Sequence, residues 1–269
     1  MNTILDKIVE QSREDLSRRK QKVSMRDFNS FQGYEKKRLH FGETLRGKNQ
    51  MSIIAEVKKA SPSKGIIRPD FKPVDIALRY EEGGASAISV LTDEPFFQGK
   101  LGYLESISQV VQLPLLRKDF LIDPYQVKEA RAFGADAVLI IVAITEGKQL
   151  DELLHAADEF GLDALVECYS QADFDRVNFD LVDILGVNNR DLREFNVDVH
   201  RGISILQQAP AETILVSESG LKSPEDMALL QKEGIDAALI GESLMREADP
   251  GQAVKDLLEQ TEEVFQKKV

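Results

Sequence analysis

Gly134-Ala135-Asp136-Ala137-Val138-Leu139-Ile140-Ile141-Val142 is the stretch that decides the fold. A helix stop, a small residue, an aspartate and an alanine lead straight into an unbroken apolar run. Variants of its opening recur as Gly84-Ala85-Ser86-Ala87, Gly161-Leu162-Asp163-Ala164 and Gly234-Ile235-Asp236-Ala237. A phrase repeated at helix-to-strand junctions argues for a repeated strand–helix unit. A run that is apolar on both faces is what a parallel strand covered by helices requires.

Working outward from that phrase, eight short apolar runs follow one another from about residue 50. They are Ser52–Val57, Ala87–Leu91, Pro114–Arg117, Ala137–Val142, Ala164–Glu167, Val182–Val187, Thr213–Val216 and Ala237–Ile240. Amphipathic segments separate them. Pro73, Pro124 and Pro224 stand where a first helical turn begins, since a missing N–H costs little there. Gly83-Gly84, Gly134, Gly161 and Gly234 close such segments. Alternation of this kind predicts α/β architecture. Eight similar units, with no Gly-x-Gly-x-x-Gly turn, favour a closed (β/α)8 TIM barrel over an open doubly wound sheet. Such a barrel needs about 250 residues, and the chain has 269. One domain, 1–269, is expected: a helical extension over 1–50 and the barrel over 51–269. Ile4, Leu5, Ile8, Val9 and Leu16 have helical spacing and predict an N-terminal helix packed outside the barrel, followed by a polar segment. Its basic stretch, Arg18 to Lys22, reads as a solvated helix face.

The formal net charge of -12 leaves no basic excess to neutralise phosphates, so nucleic acid is not expected as a partner. Neither a signal-peptide layout nor an apolar run of membrane-spanning length is present, which predicts a cytoplasmic protein without a membrane partner. A single cysteine, Cys168, suits a reducing compartment; with no histidine beside it, it reads as a packed thiol. His40, His155 and His200 lie off the strand ends, so no metal is expected.

Chemistry in such barrels sits at the C-terminal ends of the strands. Glu56 and Lys58 are two apart and share a face, as do Lys118 and Phe120. Glu167 falls at the fifth strand tip, and Asn188, Asn189 and Arg190 follow the sixth. An ion pair at a strand end, or a structural Arg190–Asp191 pair, is the plainer reading of these groups. Two matched turns, Ser217-Glu218-Ser219-Gly220 and Ile240-Gly241-Glu242-Ser243, follow the last two strands. A short helix at Ser243–Met245 would add its N-terminus to a phosphate cradle.

Together these stretches resemble the indole-3-glycerol phosphate synthase family. The phrases that carry the likeness are Glu-Val-Lys-Lys-Ala-Ser-Pro-Ser-Lys-Gly (56–65), Leu-Arg-Lys-Asp-Phe (116–120), Leu-Val-Glu-Cys (165–168), Gly-Val-Asn-Asn-Arg-Asp-Leu (186–192), Ser-Glu-Ser-Gly (217–220) and Ile-Gly-Glu-Ser-Leu-Met (240–245). The loop Leu91 to Phe97 is similar as well. The resemblance implies a carboxy-lyase that takes the anionic substrate 1-(2-carboxyphenylamino)-1-deoxyribulose 5-phosphate to indole-3-glycerol phosphate, carbon dioxide and water, with no cofactor. It implies Glu56, Lys58, Lys118, Glu167 and Asn188 as catalytic residues. It implies Ser61, Phe120, Arg190, Ser219, Gly220, Gly241 and Glu242 as substrate-binding residues.

On that reading Lys118 protonates the ketone oxygen, Glu167 is a base, and Lys58, tuned by Glu56, is an acid or substrate clamp. Glu242 should point outward, lending only its amide. A monomer is expected. The readings left open beside it are an isomerase, a Schiff-base aldolase using Lys118 or Lys58, and a catalytically silent phosphate sensor.

Overall fold

The computed structural model describes residues 4–47, 50–191 and 196–268; Leu192, the last residue of one matching phrase, lies outside them. Eight parallel strands close into a barrel. They are β1 (Ser52–Val57), β2 (Ala87–Leu91), β3 (Leu115–Lys118), β4 (Ala137–Ile141), β5 (Asp163–Cys168), β6 (Ile184–Asn188), β7 (Ile214–Glu218) and β8 (Ala237–Ile240). Each pairs with its sequence neighbours, and β8 returns to β1 with Ser52 opposite Ala237. The eight expected runs are the eight strands, with shifted ends. Lys118, Asn188 and Glu218 belong to strands rather than to the loops after them, because their backbones remain in the ladder.

The helices are α1 (Ile4–Lys22), α2 (Phe41–Leu45), α3 (Pro73–Glu82), α4 (Leu101–Ser108), α5 (Pro124–Ala132), α6 (Gln149–Glu159), α7 (Gln171–Phe174), α8 (Val199–Leu206), α9 (Pro224–Lys232), α10 (Glu242–Arg246) and α11 (Pro250–Lys268). Pro73, Pro124 and Pro224 each open a helix, as their fixed φ dictates. Gly134 takes φ +87°, the left-handed turn that ends α5 and admits β4.

The recurring aspartate has a structural job. Asp136 accepts the N–H groups of Leu39 and Leu115, both at 2.9 Å. Asp236 accepts that of Leu215 at 2.8 Å, and Asp163 that of Gly42 at 3.0 Å. These carboxylates stitch the N-terminal rim, satisfying backbone donors that would otherwise be buried without partners.

Alternate strand residues fill two apolar layers. Ile53, Val90, Leu115, Val138, Val166 and Leu185 face the helices. Ile54, Leu116, Leu139, Leu165, Ile184, Ile214, Val216 and Leu239 fill the interior.

The N-terminal segment departs from expectation at both ends. Residues 41–45 are not part of a polar connector. They form α2, which plugs the N-terminal mouth with Phe41 and Leu45, 0% and 1% exposed. Helix α1 does not merely pack outside; Ile4, Leu5 and Ile8 line the cavity at the opposite mouth. Its basic stretch is only partly solvated, since Arg19 pairs with Glu129 at 2.7 Å and Lys20 with Asp123 at 2.7 Å.

Phe41→Ala should lower stability by about 3–5 kcal/mol, the usual cost of emptying a buried aromatic site. Urea unfolding would read it. A loss below about 1 kcal/mol would mean that α2 is not a structural plug.

Candidate active site

The C-terminal mouth opens on a cavity of about 540 Å³. All twelve expected site residues line it: Glu56, Lys58, Ser61, Lys118, Phe120, Glu167, Asn188, Arg190, Ser219, Gly220, Gly241 and Glu242. Each odd-numbered strand delivers ionisable groups by two-residue alternation. Strand β1 carries Glu56, with Lys58 just past its end; β3 carries Lys118, β5 Glu167 and β7 Glu218.

The ammonium of Lys118 meets Glu218 Oε2 at 2.5 Å and Glu167 Oε2 at 3.5 Å. Burial alone would discharge this lysine, but Glu218, Glu167 and Glu56 together hold its pKa above the usual lysine value. The Lys58 ammonium meets Glu56 Oε1 at 2.5 Å. Burial opposes the ionised form of Glu56 as well. Lys58 and Lys118 overcome it, so its pKa falls below the ordinary carboxylate value. Glu167 goes the other way. Burial and the neighbouring Glu218 raise it to about 8, against the pull of Lys118 and of Asn188, whose Nδ2 lies 3.5 Å from Glu167 Oε2. The raised pKa of Glu167 favours its protonated form at neutral pH, beside the ion pairs of Lys58 with Glu56 and of Lys118 with Glu218.

Glycine makes room for this cluster. A Cβ on Gly186 would lie 2.5 Å from Glu218 Oε1, and one on Gly241 would collide with the Glu56 carboxylate. The buried Glu218 Oε1 has no hydrogen-bond partner among the described residues.

Beside the ionic centre, Ser219 and Gly220 take φ +68° and +79°. A left-handed serine costs about 1–2 kcal/mol, and such strain concentrates at ligand-binding turns. Asn189, buried behind the turn, donates to Ser217 Oγ at 2.9 Å and to the Ser219 carbonyl at 3.0 Å. The short helix expected at 243–245 is α10, which begins one residue earlier, directly after Gly241.

On the far side, Phe120 and Phe97 lie with ring centroids 6.0 Å apart. Asp93 holds the loop bearing Phe97 by accepting the N–H groups of Phe96 and Phe97 at 2.9 and 3.1 Å. Asp191 accepts from the Tyr169 hydroxyl at 2.8 Å, and the Arg190 guanidinium lines the cavity.

Glu242 is a correction. Its carboxylate does not turn away from the site; it lines the cavity, 3.9 Å from Arg190 and 3.0 Å from Arg246. The reason is local: Arg246 stands four residues on along α10, and Arg190 faces it from the end of β6.

Sequence reasoning left Glu218 out, although it lies two residues past Val216 on the inward face, the logic that found Glu56 and Glu167. It also left out Lys64, Phe97, Lys222, Arg246 and the α1 residues, which share the cavity. Cys168 is buried and its pKa raised by that burial. His155 is exposed on α6. Among the described residues no group of three His, Cys, Asp or Glu side chains is arranged to hold a metal ion.

Solved structures share the architecture. 3-Hexulose-6-phosphate synthase from Salmonella typhimurium superposes with TM-score 0.62 at 15% identity, over 78% of this chain and 100% of its own. Thiamine phosphate pyrophosphorylase from Pyrococcus furiosus gives 0.58 at 17%, over 81% and 98%. At that identity the likeness concerns fold alone, and fold and cavity together define a (β/α)8-barrel protein with a charged, anion-suited site at its C-terminal mouth. Residues 5–257 match the sequence model of the family described as indole-3-glycerol phosphate synthase. An indole-3-glycerol phosphate synthase from Salinibacter ruber is 47% identical over 95% of both chains. One from Zymomonas mobilis subsp. pomaceae is 51% identical over 79% of this chain and 81% of its own. The chain belongs to the indole-3-glycerol phosphate synthase family. It is accordingly an enzyme, a carboxy-lyase of tryptophan biosynthesis.

Glu242→Gln should tighten inhibition by inorganic phosphate about two- to fivefold, because a partly exposed like charge beside the anion is worth roughly 0.5–1 kcal/mol. Unchanged or weaker phosphate inhibition would remove Glu242 from the anion site.

Proposed function

We propose that Lys118 and Glu167 exchange the protons of indole formation while Lys58, Arg190 and the two strand-end turns hold the substrate's anionic groups. The observation that carries this reading is the convergence of Glu56, Lys58, Lys118 and Glu167 in one cavity that a strained turn also lines, with Glu218 paired to Lys118. The substrate is 1-(2-carboxyphenylamino)-1-deoxyribulose 5-phosphate. Its phosphate takes the Ser219-Gly220 and Gly241–Glu242 turns, with Ser61 at the rim. Phe120 and Phe97 pack its aromatic ring.

In ring closure, the aromatic carbon bearing the carboxylate attacks the ribulose ketone. A carbon–carbon bond forms, and the carbonyl electron pair moves to oxygen and takes a proton from Lys118. A cationic acid at that oxygen supplies general-acid and electrostatic stabilisation together. The bond to the carboxylate then breaks, its electron pair returns to the ring, and carbon dioxide leaves. Glu167, protonated in the free site, returns a proton to Lys118 and becomes the carboxylate that accepts the substrate's proton during dehydration. Lys58 protonates the departing hydroxyl, which leaves as water. Solvent restores the single proton that decarboxylation consumes overall. The base role expected for Glu167 is thus retained, but it begins from the acid form.

A Schiff base at either lysine is disfavoured. Both ammonium groups are locked to carboxylates, and the raised pKa of Lys118 keeps its nitrogen from acting as a nucleophile. No described helix is long and apolar enough to cross a membrane, and a cytoplasmic location fits the pathway.

The sign of the pH effect follows from Glu167. Its raised pKa means the proton is bound below about pH 8 and lost above it. Loss adds a negative charge to a cavity that must take an anionic substrate. kcat/KM should therefore be level near neutrality and decline through about pH 8. Glu167→Gln keeps the neutral charge, so KM should stay near its original value while kcat falls about 10²–10⁴-fold. A flat profile to pH 9, or an active Gln variant, would refute the assignment. In single-turnover kinetics, Lys118→Ala should stall ring closure itself; an unimpaired first step would exclude Lys118 as the acid.

A further inference from the structure

Arg19, near the end of α1, reaches Glu129 Oε2 on α5 at 2.7 Å. The same oxygen meets Arg117 Nη1 at 3.0 Å. Arg117 directly precedes Lys118 on β3, so its side chain leaves the strand on the opposite face, away from the cavity. It is 0% exposed. Its guanidinium also donates to Asp119 Oδ2 at 2.8 Å, the Gln126 carbonyl at 2.8 Å and Thr92 Oγ1 at 3.2 Å. One buried carboxylate is thus shared by the arginine behind Lys118 and by an arginine of α1.

The other end of α1 supplies Ile4, Leu5 and Ile8 to the cavity wall. These apolar contacts carry little directional information, so what places them must lie elsewhere along the helix. Apart from the burial of Ser12 and Leu16 against the core, the remaining polar ties are weaker or opposed. Arg13–Glu146 is largely exposed, and Lys20–Asp123 is partly so. Exposed pairs contribute little. Tyr125 donates to the Val23 carbonyl at 3.0 Å, beyond the helix end. Asp15 of α1 adds to the charge that raises the pKa of Asp93, a repulsive neighbour. The pair with the buried partner is the one whose loss leaves an uncompensated charge.

We propose that Glu129 is a positioning residue for the reaction: its carboxylate ties the cavity-covering helix α1, through Arg19, to the arginine that backs Lys118. Glu129 is not among the residues that line the cavity. It sets where the apolar cover of the cavity sits relative to the acid. This inference rests on the functional reading of the cavity given above.

The sharpest test is Arg19→Met, which cuts the tie to α1 and leaves the Glu129–Arg117 pair intact. KM should rise about tenfold with kcat within about twofold, since sites joined through one contact network couple on this scale. Arg19→Lys should recover part of the loss. In an Ile8→Ala background, where the cover's contact is already cut, Arg19→Met should change KM less than about twofold. Urea midpoints on the same samples would separate loss of cover from loss of fold. An unmoved KM in Arg19→Met, a fall in kcat alone, or equal effects with and without Ile8→Ala would each overturn the inference. No turnover by the unaltered chain would overturn the functional reading and this inference with it. Turnover with an unmoved KM would overturn this inference alone.

Discussion

A charged lysine inside an apolar barrel is the constraint on which the rest depends. Removing an ammonium from water costs several kcal/mol, and a lone buried lysine would simply lose its proton. Lys118 keeps it because the Glu218 and Glu56 carboxylates arrive from two other strands, with Glu167 beside them. That convergence exists only when the sheet is closed. In an open sheet of the same order β7 would lie four strands from β3, and Lys118 would lose Glu218, its nearest carboxylate. The closed barrel is thus what makes the acid an acid.

The same cluster carries one more carboxyl group than its two ammonium groups can pair, and the surplus is expressed in the raised pKa of Glu167. A raised carboxyl pKa beside a raised lysine pKa sets the two groups apart: the lysine holds its proton over the range in which the carboxyl exchanges its own. Pairs of titratable groups pushed apart in this way mark acid–base assignments. The glycines at 186 and 241 are the steric counterpart of this electrostatics: side chains there would occupy the space of the Glu218 and Glu56 carboxylates.

The N-terminal segment works at both mouths. Phe41 and Leu45 seal the end where strands begin, under a rim stitched by Asp136, Asp163 and Asp236. Ile4, Leu5 and Ile8 reach the end where chemistry sits. One apolar plug needs no charge and can be rigid. The cover over the cavity, by contrast, borders a site that must admit substrate, and its ionic anchorage lies at the helix's other end.

What the sequence by itself determined was the order and number of strands, the helix starts at proline, and twelve of the residues that line the cavity. The physical reason is local: two-residue alternation puts Glu56, Lys118 and Glu167 on the inward face, and proline and glycine fix turns within a few residues. The same rule reached Glu218, but its neighbours Ser219 and Gly220 drew attention to the turn instead. Only the tertiary structure decided the direction of Glu242, the place of α1 over the cavity, the plug at Phe41 and the raised pKa of Glu167. Each of these depends on which distant groups come within a few ångströms, and burial and Coulomb energy follow from that proximity rather than from position along the chain.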